Sequence, residues 1–148
     1  MKKITLILLC VMSLNVFAQE KQFNWKTSFE EARLASKDQN KPILVFFTNQ
    51  QDSESLKTLR SDFFGTDTFK SLSNKMILLF VDASERSTSI TPDQKMKNQR
   101  LVIHYNKLNA FPSLMALDFN GKVLGTSLTQ ISKENINNYF TFLDTITN

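Results

Sequence analysis

Two stretches, "KPILVFFT" and "KMILLFVDA", constrain this chain more than any other feature. Each is an unbroken apolar run of strand length, rich in β-branched and aromatic residues. A run of that kind predicts a strand buried on both faces, as in sheets covered by helices. The segments around them have helical period. "TSFEEARLASKDQNK" predicts a helix in which Ser28 and Glu31 have capping-box spacing and Phe29, Ala32 and Ala35 form an apolar stripe. "DSESLKTLRSDFF" predicts a second, capped by Asp52 or Ser53, with Leu56, Leu59 and Phe63 on one side. "TDTFKSLSN" predicts a short helical turn, "SERSTSITP" a surface loop, and "DQKMKNQRLVIHYNKL" a helix of poor periodicity. "FPSLMALDFNGKVLGTSL" predicts a hairpin with Asn120–Gly121 in a type I′ turn. "SKENINNYFTFLDTIT" predicts a closing helix, capped by Ser132, with Ile136, Phe140, Leu143 and Ile146 at helical spacing. Strands alternating with helices make an α/β domain.

The N-terminus reads as an export signal. "MKKITLILLCVMSLNVFAQE" has two lysines, an apolar run from Ile4 to Phe17, and Val16 and Ala18 at the small positions that precede cleavage. The apolar run is too short to span a bilayer, which takes about 20 residues. Lipidation at Cys10 fits poorly, because Leu9 stands where a small residue is wanted and the apolar run continues beyond it. Residues 1–18 are therefore expected to be a signal peptide and 19–148 a single mature domain, periplasmic or otherwise secreted. Loss of Lys2 and Lys3 lowers the basic count from 18 to 16 against 14 acids, leaving a net charge of +2. That balance, with no Lys/Arg run longer than two, argues against nucleic acid as a partner. The single cysteine is Cys10, inside the signal. The mature chain thus enters an oxidising compartment without a thiol, and can neither form a disulfide nor exchange one.

The order of these motifs resembles the thioredoxin-like superfamily, in particular an exported branch. There a Lys-Pro-Ile-Leu-Val strand leads through a Phe-Thr loop to a Trp-Cys-x-x-Cys-Lys-x-Leu helix start. The corresponding run here is "KPILVFFTNQQDSESLKTL". Asp52 stands at the Trp, Ser53 at the first Cys and Leu56 at the second, while Lys57 and Leu59 match. "LFVDA", "AFPSLMALD" and "DFNGKVLG" extend the likeness over roughly Trp25 to Leu143. The resemblance implies a thioredoxin-like fold, with a central mixed β-sheet flanked by helices. It also implies a cis proline at Pro112 beside the Cys-x-x-Cys loop, and a buried acid on the strand that precedes that loop. Members of the family exchange disulfides through a thiolate at a helix N-terminus and a second, resolving cysteine. Here the two sulfurs are replaced by a hydroxyl and an isobutyl group, and Phe46 or Phe47 occupies the place of the acid. The catalytic set is expected to be absent.

Other candidates are weaker. A serine hydroxyl stays protonated unless a general base is within reach. A helix dipole supplies only about 0.3–1 kcal/mol at an exposed site, so Ser53 reads as a helix cap. His104, the only histidine, lacks a nucleophile-elbow signature around Ser53 and reads as a partly buried structural residue. Asp82, Glu85 and Asp93 have no metal-ligand spacing, and Asp82 is expected to anchor a turn. No metal and no cofactor is expected. Most of the 13 phenylalanines fall at core periodicity, but Phe111 precedes Pro112. If Pro112 is cis, the Phe111 main chain can pair with an extended peptide by strand addition.

The reading that follows is a redox-inactive exported protein that binds a protein or an extended peptide, as an envelope-complex subunit or in a chaperone-like role. Its expected surface is Asn49, Gln50, Gln51, Asp52, Ser53 and Leu56 together with Ala110, Phe111 and Pro112. One alternative is an enzyme with non-thiol chemistry at Ser53, Asp52 or Glu54. Another is an inhibitor or immunity-type protein, which would bury about 1,600 Å² against a single partner.

Overall fold

The computed structural model describes residues 23–148; the expected export segment with Cys10, Val16 and Ala18 lies outside the described residues. Its frame is a five-stranded mixed sheet in the order β1-β3-β2-β4-β5. β1 (Trp25–Lys26), β3 (Ile77–Asp82) and β2 (Ile43–Thr48) run parallel, whereas β4 (Ser113–Leu117) and β5 (Val123–Leu128) form the antiparallel half. The two apolar runs are the central pair, and all six residues of β2 are buried. β1 has no sequence signature, because two residues carry no periodicity.

Alternation along β2 sorts the core into two layers, as the pleat requires. Ile43, Val45 and Phe47 face one side, where α1 (Phe29–Gln39) and α4 (Pro92–Tyr105) cover them. Leu44 and Phe46 face the other side. They meet α2 (Glu54–Thr58), α3 (Asp67–Ser73), α5 (Ile136–Thr147) and a ring cluster containing Phe63, Phe64 and Phe69. Each such ring contributes about 1.5–3 kcal/mol through burial.

The helix starts follow local chemistry. Ser28, Ser53, Thr66 and Thr91 each accept the N–H three residues on, at 3.1–3.3 Å. α1 ends on Asn40 in the left-handed region (φ 51°), where a short polar side chain is tolerated.

Three expectations need correction. The helix over 52–64 is not α throughout. From Leu59 to Phe64 it widens into a π turn, closed by the Gly65 N–H donating to the Arg60 carbonyl at 2.9 Å. The wider turn brings successive side chains closer in azimuth, so that neighbours Phe63 and Phe64 both reach the core. The hairpin turn is not type I′. Gly121 alone has positive φ (84°) and the Gly121 N–H donates to the Asp118 carbonyl, giving a three-residue loop with glycine at its left-handed position. Asp118 selects that loop by accepting from the N–H groups of Asn120 and Lys122. Finally, Ser132 does not cap α5, which begins at Ile136. The Ser132 hydroxyl bonds the Glu134 carboxylate, holding it below the usual carboxylate range, and the Ser132 N–H is taken by Asn135 Oδ1.

Candidate functional site

The site begins where β2 and β3 end side by side, with Thr48 opposite Asp82. The chain leaves β2 through a loop held by its own side chains. Thr48 Oγ1 accepts the Gln50 N–H and Asn49 Oδ1 accepts the Gln51 N–H, both at 3.1 Å. This folds Gln50 into the left-handed region at φ 60°, uncommon for a long side chain. The choice between Asp52 and Ser53 as cap resolves to Ser53: its backbone is extended and its hydroxyl accepts the Leu56 N–H at 3.1 Å. Asp52 instead joins Glu54 around Lys57, at 3.7 and 3.1 Å. The Lys57 ammonium is pushed above its ordinary range, first by the Glu54 hydrogen bond and then by the Asp52 charge.

The second part of the site comes from the end of α4. Buried Asn106 clasps Ala110: its Nδ2 donates to the Ala110 carbonyl at 2.8 Å and its Oδ1 accepts the Ala110 N–H at 3.1 Å. Between them Asn109 turns back at φ 50°. The Phe111–Pro112 peptide bond is cis, Pro112 is buried, and the half-buried Phe111, like Val102, packs against the core layer on the α1/α4 side. Because Asn106 occupies both polar groups of Ala110, any strand-addition contact falls on Phe111. Among the described residues its main chain carries no hydrogen bond.

Between these two parts lies an open groove of about 730 Å³. Of the nine expected surface residues, Asn49, Gln50, Gln51 and Phe111 line it. Asp52 and Ser53 stand outside it on the helix start, and Ala110 supports its far end. Leu56 is only 2% exposed and Pro112 is buried. These two are foundations rather than contact surface, since an apolar side chain at the third helical position turns into the ring cluster.

The remaining lining was not anticipated. Ala83, Ser84, Glu85 and Arg86 come from the β3–α4 loop, Gln99, Val102 and Ile103 from α4, and Asn109 from the turn beyond it. Asp82 positions the first of these as expected. Its Oδ1 accepts the Ser84 N–H at 2.8 Å, while its carbonyl accepts from buried Asn98. His104 is corrected: it is exposed on α4, edge-on to Tyr105 at 4.5 Å, and does not line the groove. No cluster of three or more His, Cys, Asp or Glu suited to a metal ion occurs among the described residues. Nor, among them, is any helix long and apolar enough to cross a membrane.

The comparisons agree with this architecture. A family profile described as thioredoxin-like matches residues 24–118. Among solved structures the chain is similar to a DsbH oxidoreductase, at 25% identity and a TM-score of 0.68, covering 82% of this chain and 85% of that one. It also shares its fold with a disulphide isomerase from Xylella fastidiosa Temecula1, at 20% identity and a TM-score of 0.55, covering 80% and 88%. No curated protein matches the chain. The profile spans both central strands, the loop between Thr48 and Ser53, the cis Pro112 and β4, so the chain belongs to the thioredoxin-like family.

Proposed function

We propose that the mature chain, exported and cleaved near Ala18, holds an extended polypeptide segment against the face around Asn49–Ser53 and Phe111 without exchanging disulfides. One feature supports this reading: the resemblance places Ser53 and Leu56 at the two positions where the family keeps its cysteines. Ser53 is engaged as a helix cap and Leu56 is sealed in the core. Thiol exchange passes through a mixed disulfide and needs an attacking thiolate. Beyond Cys10 the sequence has no sulfur able to become one. The scaffold shared with the DsbH oxidoreductase is therefore read as retained for its binding face.

The enzyme alternative loses support from the setting of its acids. The side chains of Asp52 and Glu54 are 79% and 90% exposed and gather around Lys57, an arrangement of solvated surface charge.

The test is direct. The mature protein is expected to leave insulin unreduced and scrambled ribonuclease uncorrected; turnover above a boiled control overturns the proposal. A Ser53→Cys, Leu56→Cys variant places sulfurs at the first and fourth positions of the helix start. It is expected to close to a disulfide on mild oxidation, read as loss of two titratable thiols. A pair that stays open under oxidant would show that this helix start is not the family's redox position.

A further inference from the structure

Among the described residues three non-glycine residues have positive φ; two of them, Gln50 and Asn109, line the groove, and the third, Asn40, only ends a helix. Left-handed backbone suits the short polar Asn109 but is strained at a long side chain such as Gln50, where it persists because surrounding structure enforces it, commonly at ligand-contacting sites. The lining has a definite chemistry. Five carboxamides (Asn49, Gln50, Gln51, Gln99 and Asn109) supply both donors and acceptors. The lining also holds an apolar group, Val102, Ile103 and Phe111, of which Ile103, in the last turn of α4, is 76% exposed. The charged lining is one acid and one base, Glu85 and Arg86, adjacent in sequence.

From this juxtaposition we infer that the binding surface extends from the helix-start loop onto α4, and that it selects an uncharged extended peptide presenting one apolar side chain. The inference rests on the peptide-binding reading above and specifies its ligand. Carboxamides match the alternating N–H and C=O groups of an extended main chain, and the Phe111 main chain has both of its own groups open for pairing. The apolar group takes the side chain that alternation directs toward α4. Glu85 and Arg86 bring opposite charges to the lining, so the groove has no net charge to attract an ionised side chain, which would lose hydration against the apolar residues.

The experiment uses the isotope-labelled mature protein and three heptapeptides of Ser and Asn: one with a central Leu, one with a central Ser, one with the central Leu flanked by Glu. The Leu peptide, at millimolar concentration, is expected to shift backbone amides over 49–51, 83–86, 102–103 and 109–111. The Ser peptide should bind at least about tenfold more weakly, the difference that an apolar side chain of this size makes on burial, and the Glu-flanked peptide should also bind more weakly because its carboxylates lose hydration. Ile103→Ser, at an exposed position, should reproduce that loss without changing stability. Gln50→Gly should raise stability while weakening the Leu peptide, the combination that distinguishes a strained binding residue from a structural one. Shifts confined to 52–56 and 111–112, or insensitivity to Ile103→Ser, overturn the inference and leave the broader reading standing. Absence of any shift with all three peptides overturns the broader reading as well. Groove shifts produced by chitotetraose but not by the Leu peptide overturn the inference in favour of a glycan.

Discussion

Ser53, which the resemblance aligns with the family's nucleophile, satisfies the Leu56 N–H with its hydroxyl oxygen. A five-residue helix has few other means of satisfying its first donors. Ser53→Ala is therefore expected to lower stability by about 1 kcal/mol, and Ser53→Asp to retain it. Urea denaturation of the two variants checks this; equal midpoints for Ala and wild type would refute the capping role. At the same scale, legibility of the site was uneven. Asn49, Gln50, Gln51 and Phe111 could be read from their strings because each adjoins a strand end or a proline. Glu85, Gln99, Ile103 and Asn109 could not, since only the packing of α4 beside β3 brings them opposite the 49–51 loop. A weak signal did exist. Ile103 and Leu108 are apolar yet 76% and 80% exposed, and such surplus apolar residues are what spoiled the helical periodicity of that segment.

Elements with strong periodicity or unbroken apolar runs emerged where the sequence placed them: β2, β3, α1 and the hairpin. The π turn, the hairpin loop and the start of α5 did not, and each was decided by a competition that local strings do not display. Phe63 and Phe64 both demanded burial, Asp118 claimed two backbone donors, and Glu134 drew the Ser132 hydroxyl away. β5 carries the strictest of these local demands. Gly125 sits at φ 70°, and a Cβ there would lie 2.5 Å from the Phe142 ring of α5. Gly125→Ala should destabilise the domain by about 1–3 kcal/mol through backbone strain alone, and more if Phe142 cannot yield. Thermal unfolding measures it. A transition temperature unchanged by Gly125→Ala would mean that β5 and α5 are not packed as described.

Over the whole molecule, two layers around one mixed sheet enclose both tyrosines of the chain. Burial raises both phenols above their ordinary 10.0, Tyr139 with its hydroxyl donating to the Gln130 carbonyl and Tyr105 with its hydroxyl donating to the Gly121 carbonyl. The Asp118 charge adds to the rise at Tyr105 and the Arg33 charge opposes it. The folded state thus holds these protons more tightly than the unfolded chain. Their contribution to stability is intact below pH 10.0 and is lost as pH climbs toward the folded values. Tyrosinate absorbance is expected to rise at higher pH in a native titration than in urea. Coincident native and denatured curves would contradict this burial.

The lone tryptophan, Trp25, lies in the two-residue edge strand, its ring 5.4–6.5 Å from those of Phe46, Phe64 and Phe80, in the layer opposite Phe111. Its emission consequently serves as a lamp on the wrong side of the wall. It brightens or dims when the N-terminal edge peels away, and stays dark to whatever settles beside α4.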